Sequence, residues 1–115
     1  MKVAIIGGTG DLGFGLALRW ARAGFEVLIG SREQAKAEAA TERLREQIPE
    51  ANVSGHDNGS AAAGAPVAVV AVPFSGVIPI YRSIANHLTP ETVIVDATVP
   101  VEASLGGKAT HVFGV

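Results

Sequence analysis

The sequence predicts an α/β domain with a doubly wound, mainly parallel sheet and helices on both faces, and three observations predict it. Largely apolar runs of strand length alternate with segments of helical period. One of those runs, Val67-Ala68-Val69-Val70-Ala71-Val72, is uniformly apolar and rich in β-branched residues, as a central parallel strand covered on both faces must be. A glycine-rich turn, Gly7-Gly8-Thr9-Gly10-Asp11-Leu12-Gly13, joins the first apolar run to the first helical pattern.

Composition agrees with this class. The 115 residues suffice for one domain with a proper core, but are short for an enzyme with two substrates. Hydrophobic residues make up 48% and charged residues 17%, with 14 glycines, which suits a compact domain whose sheet is fully buried. The formal net charge is −2 and Lys and Arg form no run, so the electrostatic footprint of a nucleic-acid or anionic-membrane binder is missing. Zero cysteines exclude a disulfide framework and any thiolate nucleophile or metal ligand. The apolar stretch over residues 61–74 is too short and too rich in Gly and Pro to span a bilayer. The N-terminus lacks the basic region, apolar core and cleavage site of a signal peptide. A soluble cytoplasmic protein is expected.

The first element is a buried strand, Val3-Ala4-Ile5-Ile6. In the turn after it, Gly8, Gly10 and Gly13 stand at GxGxxG spacing, the fingerprint of a Rossmann-type dinucleotide site. Gly8 is expected to permit the tight turn, Gly10 to let a pyrophosphate approach the backbone, and Gly13 to let the helix lie close on the sheet. The helix, over residues 11–23, shows Leu12, Leu16 and Trp20 at four-residue intervals and should stop at Gly24. Its N-terminus offers unpaired N–H groups and the positive end of the helix dipole to phosphates.

Strand two, Phe25-Glu26-Val27-Leu28-Ile29, ends in Gly30-Ser31-Arg32. An acid here would bond the adenosine ribose 2′-hydroxyl of NAD, whereas NADP sites omit it and supply cations for the 2′-phosphate. Positions 30 to 32 carry no acid, and Lys36 lies about one helical turn beyond Arg32. Charge-assisted bonds from Arg32 and Lys36, at roughly 1.5–3 kcal/mol each, would favour NADP by about two orders of magnitude or more. In a purely structural reading Ser31 caps helix two and the two cations are solvated surface; capping and phosphate binding are compatible at Ser31.

Helix two spans residues 33–47, with Ala37, Thr41, Leu44 and Ile48 on its buried stripe, and Pro49 ends it. Asn52-Val53-Ser54-Gly55 makes a short third strand, and residues 57–64 a loop or weak helical turn. The central run then delivers Val72, Pro73, Phe74 and Ser75 to the carboxyl edge of the sheet, beside the cofactor. Ser75 is a helix N-cap candidate, and the helix over residues 76–87 tolerates Pro79 within its first turn. Thr92-Val93-Ile94-Val95 is strand five, and Phe113-Gly114-Val115 reads as a sixth.

No side chain is assigned a catalytic role. Asp96 is expected to bond backbone N–H groups of its own turn, and His56, His87 and His111 are too scattered for metal-ligand spacing, so no metal site is expected. That absence suits hydride transfer, in which a protein positions two planar rings and their own chemistry does the rest.

Over residues 1–74 the chain resembles the NADPH-binding domain of the coenzyme F420-dependent NADP oxidoreductases, also called NADPH-dependent F420 reductases. The likeness rests on Lys2-Val3-Ala4-Ile5-Ile6-Gly7-Gly8-Thr9-Gly10-Asp11-Leu12-Gly13, on Gly15-Leu16-Ala17-Leu18-Arg19, and on Gly30-Ser31-Arg32 with Lys36. It implies that Thr9, Ser31, Arg32 and Lys36 hold the 2′-phosphate, and that the backbone of Gly8, Thr9, Gly10, Asp11 and Leu12 holds the pyrophosphate. It further implies that Pro73 and Val99-Pro100 flank the nicotinamide and the deazaflavin of F420, the second substrate. The implied reaction is reversible hydride exchange between nicotinamide C4 and deazaflavin C5. Members of the family also have a smaller C-terminal part that completes the deazaflavin pocket and usually a homodimer; residues 1–115 are expected to be the NADP-binding domain without it.

Two other readings use the same turn. Gly7, Gly10 and Gly13 fit the GxxGxxG spacing of short-chain dehydrogenase-like and NmrA-like proteins, but Tyr81, the single tyrosine, has Ala85 four residues on and so lacks the Tyr-x-x-x-Lys pair of their reductases. A non-catalytic NADP-binding redox sensor is the other.

Overall fold

A computed structural model of the chain describes residues 1–72 and 77–97. The strands are β1 (Lys2–Ile6), β2 (Glu26–Ser31), β3 (Val53–Asp57), β4 (Val67–Val70) and β5 (Val93–Asp96). Between them come α1 (Asp11–Arg22), α2 (Gln34–Gln47), α3 (Asn58–Ala63) and α4 (Val77–Ile84), the last continued by a 3₁₀ turn at Ala85–His87. All four strand pairings are parallel, in the order β3-β2-β1-β4-β5. The predicted fold class is the observed one.

Strand alternation divides the core in two. Val3, Ile5, Val27, Ile29 and Val69 face Phe14, Ala17 and Ala21 of α1 and Ala37, Ala40 and Leu44 of α2. Ala4, Ile6, Leu28, Ala68 and Val70 face Ala61 and Ala62 of α3 and Ile80 and Ile84 of α4. The chain therefore winds outward through β2 and β3 on one face, then crosses over β1 to continue through β4 on the other. The reversal point lies between the carboxyl ends of β1 and β4, where an open α/β sheet forms its ligand crevice.

Helix α2 buries the predicted Ala37, Thr41 and Leu44, followed by Ile48, and Gly24, at φ +89°, ends α1 as expected. Elsewhere the structure corrects the sequence reading. The helix that the Leu12, Leu16, Trp20 spacing predicts is present, but those residues do not mark its packed face: Leu12 is 46% exposed and the other two lie at the margin of the core. The helix sits so close to the sheet that only Gly13, Phe14, Ala17 and Ala21 fit beneath it. The sheet is not fully buried either: on β5, Val93 and Val95 are 55% and 46% exposed, and no described residue covers them. Strand β3 runs to Asp57, two residues beyond the predicted end, and residues 58–63 are a true helix.

Asp57 makes that helix. Its carboxylate accepts from the Ser60 N–H at 2.9 Å and from the Ser60 hydroxyl at 2.8 Å, capping the first turn. Those two bonds, backbone first, hold its carboxyl below its ordinary value near 3.8, against a small opposing effect of burial. The folded pKa is the lower one, so this stabilisation is present above the ordinary value and is lost as pH falls through the folded value. Asp57→Ala should cost about 0.5–2 kcal/mol in urea unfolding at pH 7, and less at pH 3, where the parent's own cap is weakened.

Candidate functional site

The turn after β1 leaves the strand at once. Gly7 takes φ +77°, a left-handed conformation that is strained for residues with a side chain. The tight turn is thus made by Gly7, and the expectation that Gly8 makes it is corrected. Gly8 serves packing: its N–H donates to Gly30 O at 2.9 Å, and a Cβ there would lie 2.9 Å from Ile29 Cγ2. Gly13 does what was expected, since a Cβ on it would come within 2.7 Å of both Gly7 O and Gly8 Cα. Gly10 is open, with only Gly7 O within reach of an added Cβ, at 3.8 Å. Gly10 caps α1 without a side-chain hydrogen bond, so the first-turn N–H groups of Asp11, Leu12 and Gly13 have no side-chain cap.

The register Ile6↔Gly30 between β1 and β2 sets this turn beside the end of β2. Together they bound a cavity of about 220 Å³ lined by Gly7, Thr9, Gly10, Ser31, Arg32, Glu33, Lys36, Asn58, Ala71, Val72 and Ile80. Of the predicted residues, Thr9, Gly10, Ser31, Arg32, Lys36 and Val72 meet there. Gly8, Asp11, Leu12 and Gly13 do not line it; they form the floor of the turn and the start of α1. Pro73, Phe74, Val99 and Pro100, and with them Ser75, His111 and the sixth strand, lie outside the described residues.

The electrostatics of the β2 end follow from the bonds made there. Ser31 is buried, and its hydroxyl accepts from the Glu33 N–H at 3.3 Å, leaving its own proton for another acceptor. Arg32 is exposed and pairs with no carboxylate among the described residues. Lys36 lies 3.9 Å from the Glu33 carboxylate, both well exposed, an ion pair of little strength that a phosphate can displace.

Sequence reasoning missed Asn58. Only 4% exposed, it accepts the Gly7 N–H on Oδ1 at 3.3 Å. The signal was present: an Asn directly after a strand of this sheet lies at the carboxyl edge, but ending β3 at Gly55 placed it in a loop. A second cavity of about 230 Å³ shares Ser31, Arg32 and Asn58 with the first and adds Asp57, Gly59, Ser83 and His87. His56 bonds Ser54 through Nε2 at 2.8 Å. The Tyr81 hydroxyl donates to Asp96 Oδ2 at 3.3 Å, a link between α4 and β5 that the sequence did not suggest. Burial, and after it the Asp96 charge, raise the Tyr81 pKa, so the phenol stays protonated as the donor. Among the described residues no helix is long and apolar enough to cross a membrane.

Comparison with known proteins places these features in context. The family model described as "NADP oxidoreductase coenzyme F420-dependent" matches residues 2–100. The F420-dependent NADP reductase of Methanothermobacter thermautotrophicus is 45% identical over 96% of this chain and 48% of its own length. That of Methanothermobacter marburgensis is 43% identical over 96% of this chain and 50% of its own. The chain thus spans about half the length of the curated relatives it matches. A crystal structure assigned as an F420-dependent NADP reductase from an Arthrobacter species superposes with a TM-score of 0.70 at 30% identity, over 87% of this chain and 46% of that one.

Proposed function

The chain belongs to the coenzyme F420-dependent NADP oxidoreductase family, and from this we propose that it is the NADP(H)-binding domain of a reductase exchanging a hydride between NADPH and F420. One observation supports the cofactor most directly: Ser31, Arg32 and Lys36 share a cavity with the glycine turn, at the strand end where NAD sites carry an acid.

The residues present fit the cofactor. At Gly10 the backbone is open to a ligand, and the first-turn N–H groups of α1 are donors suited to a pyrophosphate. Arg32 and Lys36 supply cations, and Thr9 and Ser31 hydroxyl donors, for the 2′-phosphate. Val72 lines the cavity wall, and Pro73, Phe74, Val99 and Pro100 are assigned to the nicotinamide and deazaflavin side on sequence resemblance. When bound, NADPH supplies the hydride and F420 accepts it. The chain's own part is to bind and orient, and no side chain here is assigned to move a proton. The reading extends to a cytoplasmic homodimer with small-molecule substrates and no nucleic-acid ligand, supported by family membership and by a net charge of −2 without a cationic run.

Calorimetric titration with NADP⁺ and NAD⁺ tests the cofactor. NADP⁺ should bind at least about tenfold tighter, as one charge-assisted bond or more would give. Equal affinities would overturn the assignment of Ser31, Arg32 and Lys36. Following deazaflavin absorbance with NADPH as reductant, on a protein of its relatives' full length, tests the second substrate separately. Tight NADP⁺ binding without turnover would overturn F420 alone.

A further inference from the structure

Asn58 is a buried amide whose oxygen is engaged and whose –NH₂, among the described residues, is not. Gly7 N–H is a donor, so the carboxamide atom facing it must be the oxygen; the –NH₂ is thereby directed the other way. Among the described residues that –NH₂ has no hydrogen-bond partner, yet it is not sealed in the core, because no buried side-chain nitrogen or oxygen there lacks a partner. Asn58 lines both cavities, so its free donor faces the space they share with Ser31 and Arg32.

Two residues keep it there. Asp57 caps the helix that Asn58 begins. Gly30 makes room, since a Cβ on it would lie 2.9 Å from Asn58 Oδ1 and 3.3 Å from Asn58 Cα. The glycine of Gly30-Ser31-Arg32 thus seats an asparagine 28 positions away, which connects two stretches of sequence with no evident link.

We propose that Asn58 is a dinucleotide-binding residue: Oδ1 holds the phosphate turn at Gly7, and the –NH₂ donates to an oxygen of the adenosine ribose 2′-phosphate. The assignment rests on the NADP reading above. It favours the adenosine end of the ligand because the second cavity shares Ser31 and Arg32 with the first but none of the glycine turn. A buried donor that meets an acceptor only when ligand is bound also adds to selectivity, because a ligand without that acceptor leaves it unmatched.

Adenosine 2′-phosphate is the probe, with nicotinamide mononucleotide, which lacks that end, as its control. Asn58→Asp keeps an oxygen for Gly7 N–H and removes the donor. It should weaken adenosine 2′-phosphate binding roughly tenfold or more in a chain that still unfolds cooperatively. Asn58→Leu, of similar shape and without charge, should weaken adenosine 2′-phosphate binding as well, so the loss does not depend on the charge that Asn58→Asp adds. In the parent, the ¹⁵N-resolved side-chain amide signals of Asn58 should move on adding adenosine 2′-phosphate and stay put with nicotinamide mononucleotide; this reading needs no variant. Unchanged affinity in Asn58→Asp or Asn58→Leu, or amide signals that ignore adenosine 2′-phosphate, would each overturn the proposal. A parent chain that binds neither NADP⁺ nor adenosine 2′-phosphate would instead overturn the cofactor reading beneath it.

Discussion

Replacing Arg32 with alanine should cut the preference for NADP⁺ over NAD⁺ by roughly 10- to 150-fold while moving NAD⁺ affinity by less than about threefold. The range is one charge-assisted bond of about 1.5–3 kcal/mol expressed as a ratio. Three observations make Arg32 the residue to change. It follows the last residue of β2, held beside the glycine turn by the β1–β2 register, and it lines both cavities. It pairs with no described carboxylate, so its guanidinium loses no protein partner on meeting a phosphate. It is exposed, so its removal leaves no cavity and no buried group unpaired. The unfolding midpoint should therefore stay where it is, which separates lost recognition from lost structure. Lys36→Ala should do less, because Lys36 already shares its charge with Glu33. Arg32→Lys should recover only part of the preference, since an ammonium cannot form the paired bonds of a planar guanidinium. Calorimetry on the parent and the three variants checks all of this, and an Arg32→Ala chain that still prefers NADP⁺ as the parent does would move the 2′-phosphate site elsewhere.

How much of this was legible in the sequence depends on the range of the interaction involved. The β-branched run at Val67 and the glycine turn at Gly7 are local signals with one dominant physical meaning, and each strand they predicted is present. Buried Ala37, Thr41 and Leu44 were legible because α2 packs on a flat sheet face, where a 3.6-residue period translates directly into burial. Helix α1 defeated the same rule. Gly13 draws it so near the turn that Gly13, Phe14, Ala17 and Ala21 make the contact, while Leu12, Leu16 and Trp20 lie at the flanks. The fully buried sheet expected from composition fails at Val93 and Val95, because an apolar composition says that a face can be buried, not that something covers it. Asn58 was half legible: its place at the carboxyl edge follows once β3 is carried to Asp57, but its bond to Gly7, 51 positions away, is encoded by no local pattern.

Gly13→Ala is the second large effect, and it should act on fold and binding together. A Cβ at this position would lie 2.7 Å from Gly7 O and from Gly8 Cα, both backbone atoms that cannot swing aside as a side chain could. Relief requires α1 to lift or the turn to open. Gly7 has little freedom to yield, since it holds φ +77° and its N–H is tied to Asn58, while Gly8 N–H is tied to Gly30 O. Lifting α1 would loosen Phe14, Ala17 and Ala21 from Val3, Ile5 and Ile29, and would draw the Phe14 ring away from the Arg43 guanidinium of α2 that sits 4.4 Å above it. Overpacking of this kind costs about 1–3 kcal/mol, near the upper end where backbone must move. In urea the midpoint should fall with little change in slope. NADP⁺ and NAD⁺ should be lost alike, because the displaced first turn of α1 carries the donors both cofactors need for the pyrophosphate. The contrast with Arg32→Ala decides the case: one substitution removes discrimination and leaves NAD⁺ affinity and stability, the other weakens both cofactors and the fold without discriminating. A Gly13→Ala chain that unfolds like the parent and still binds NADP⁺ would mean that the turn is not the rigid support that the close packing of α1 makes it.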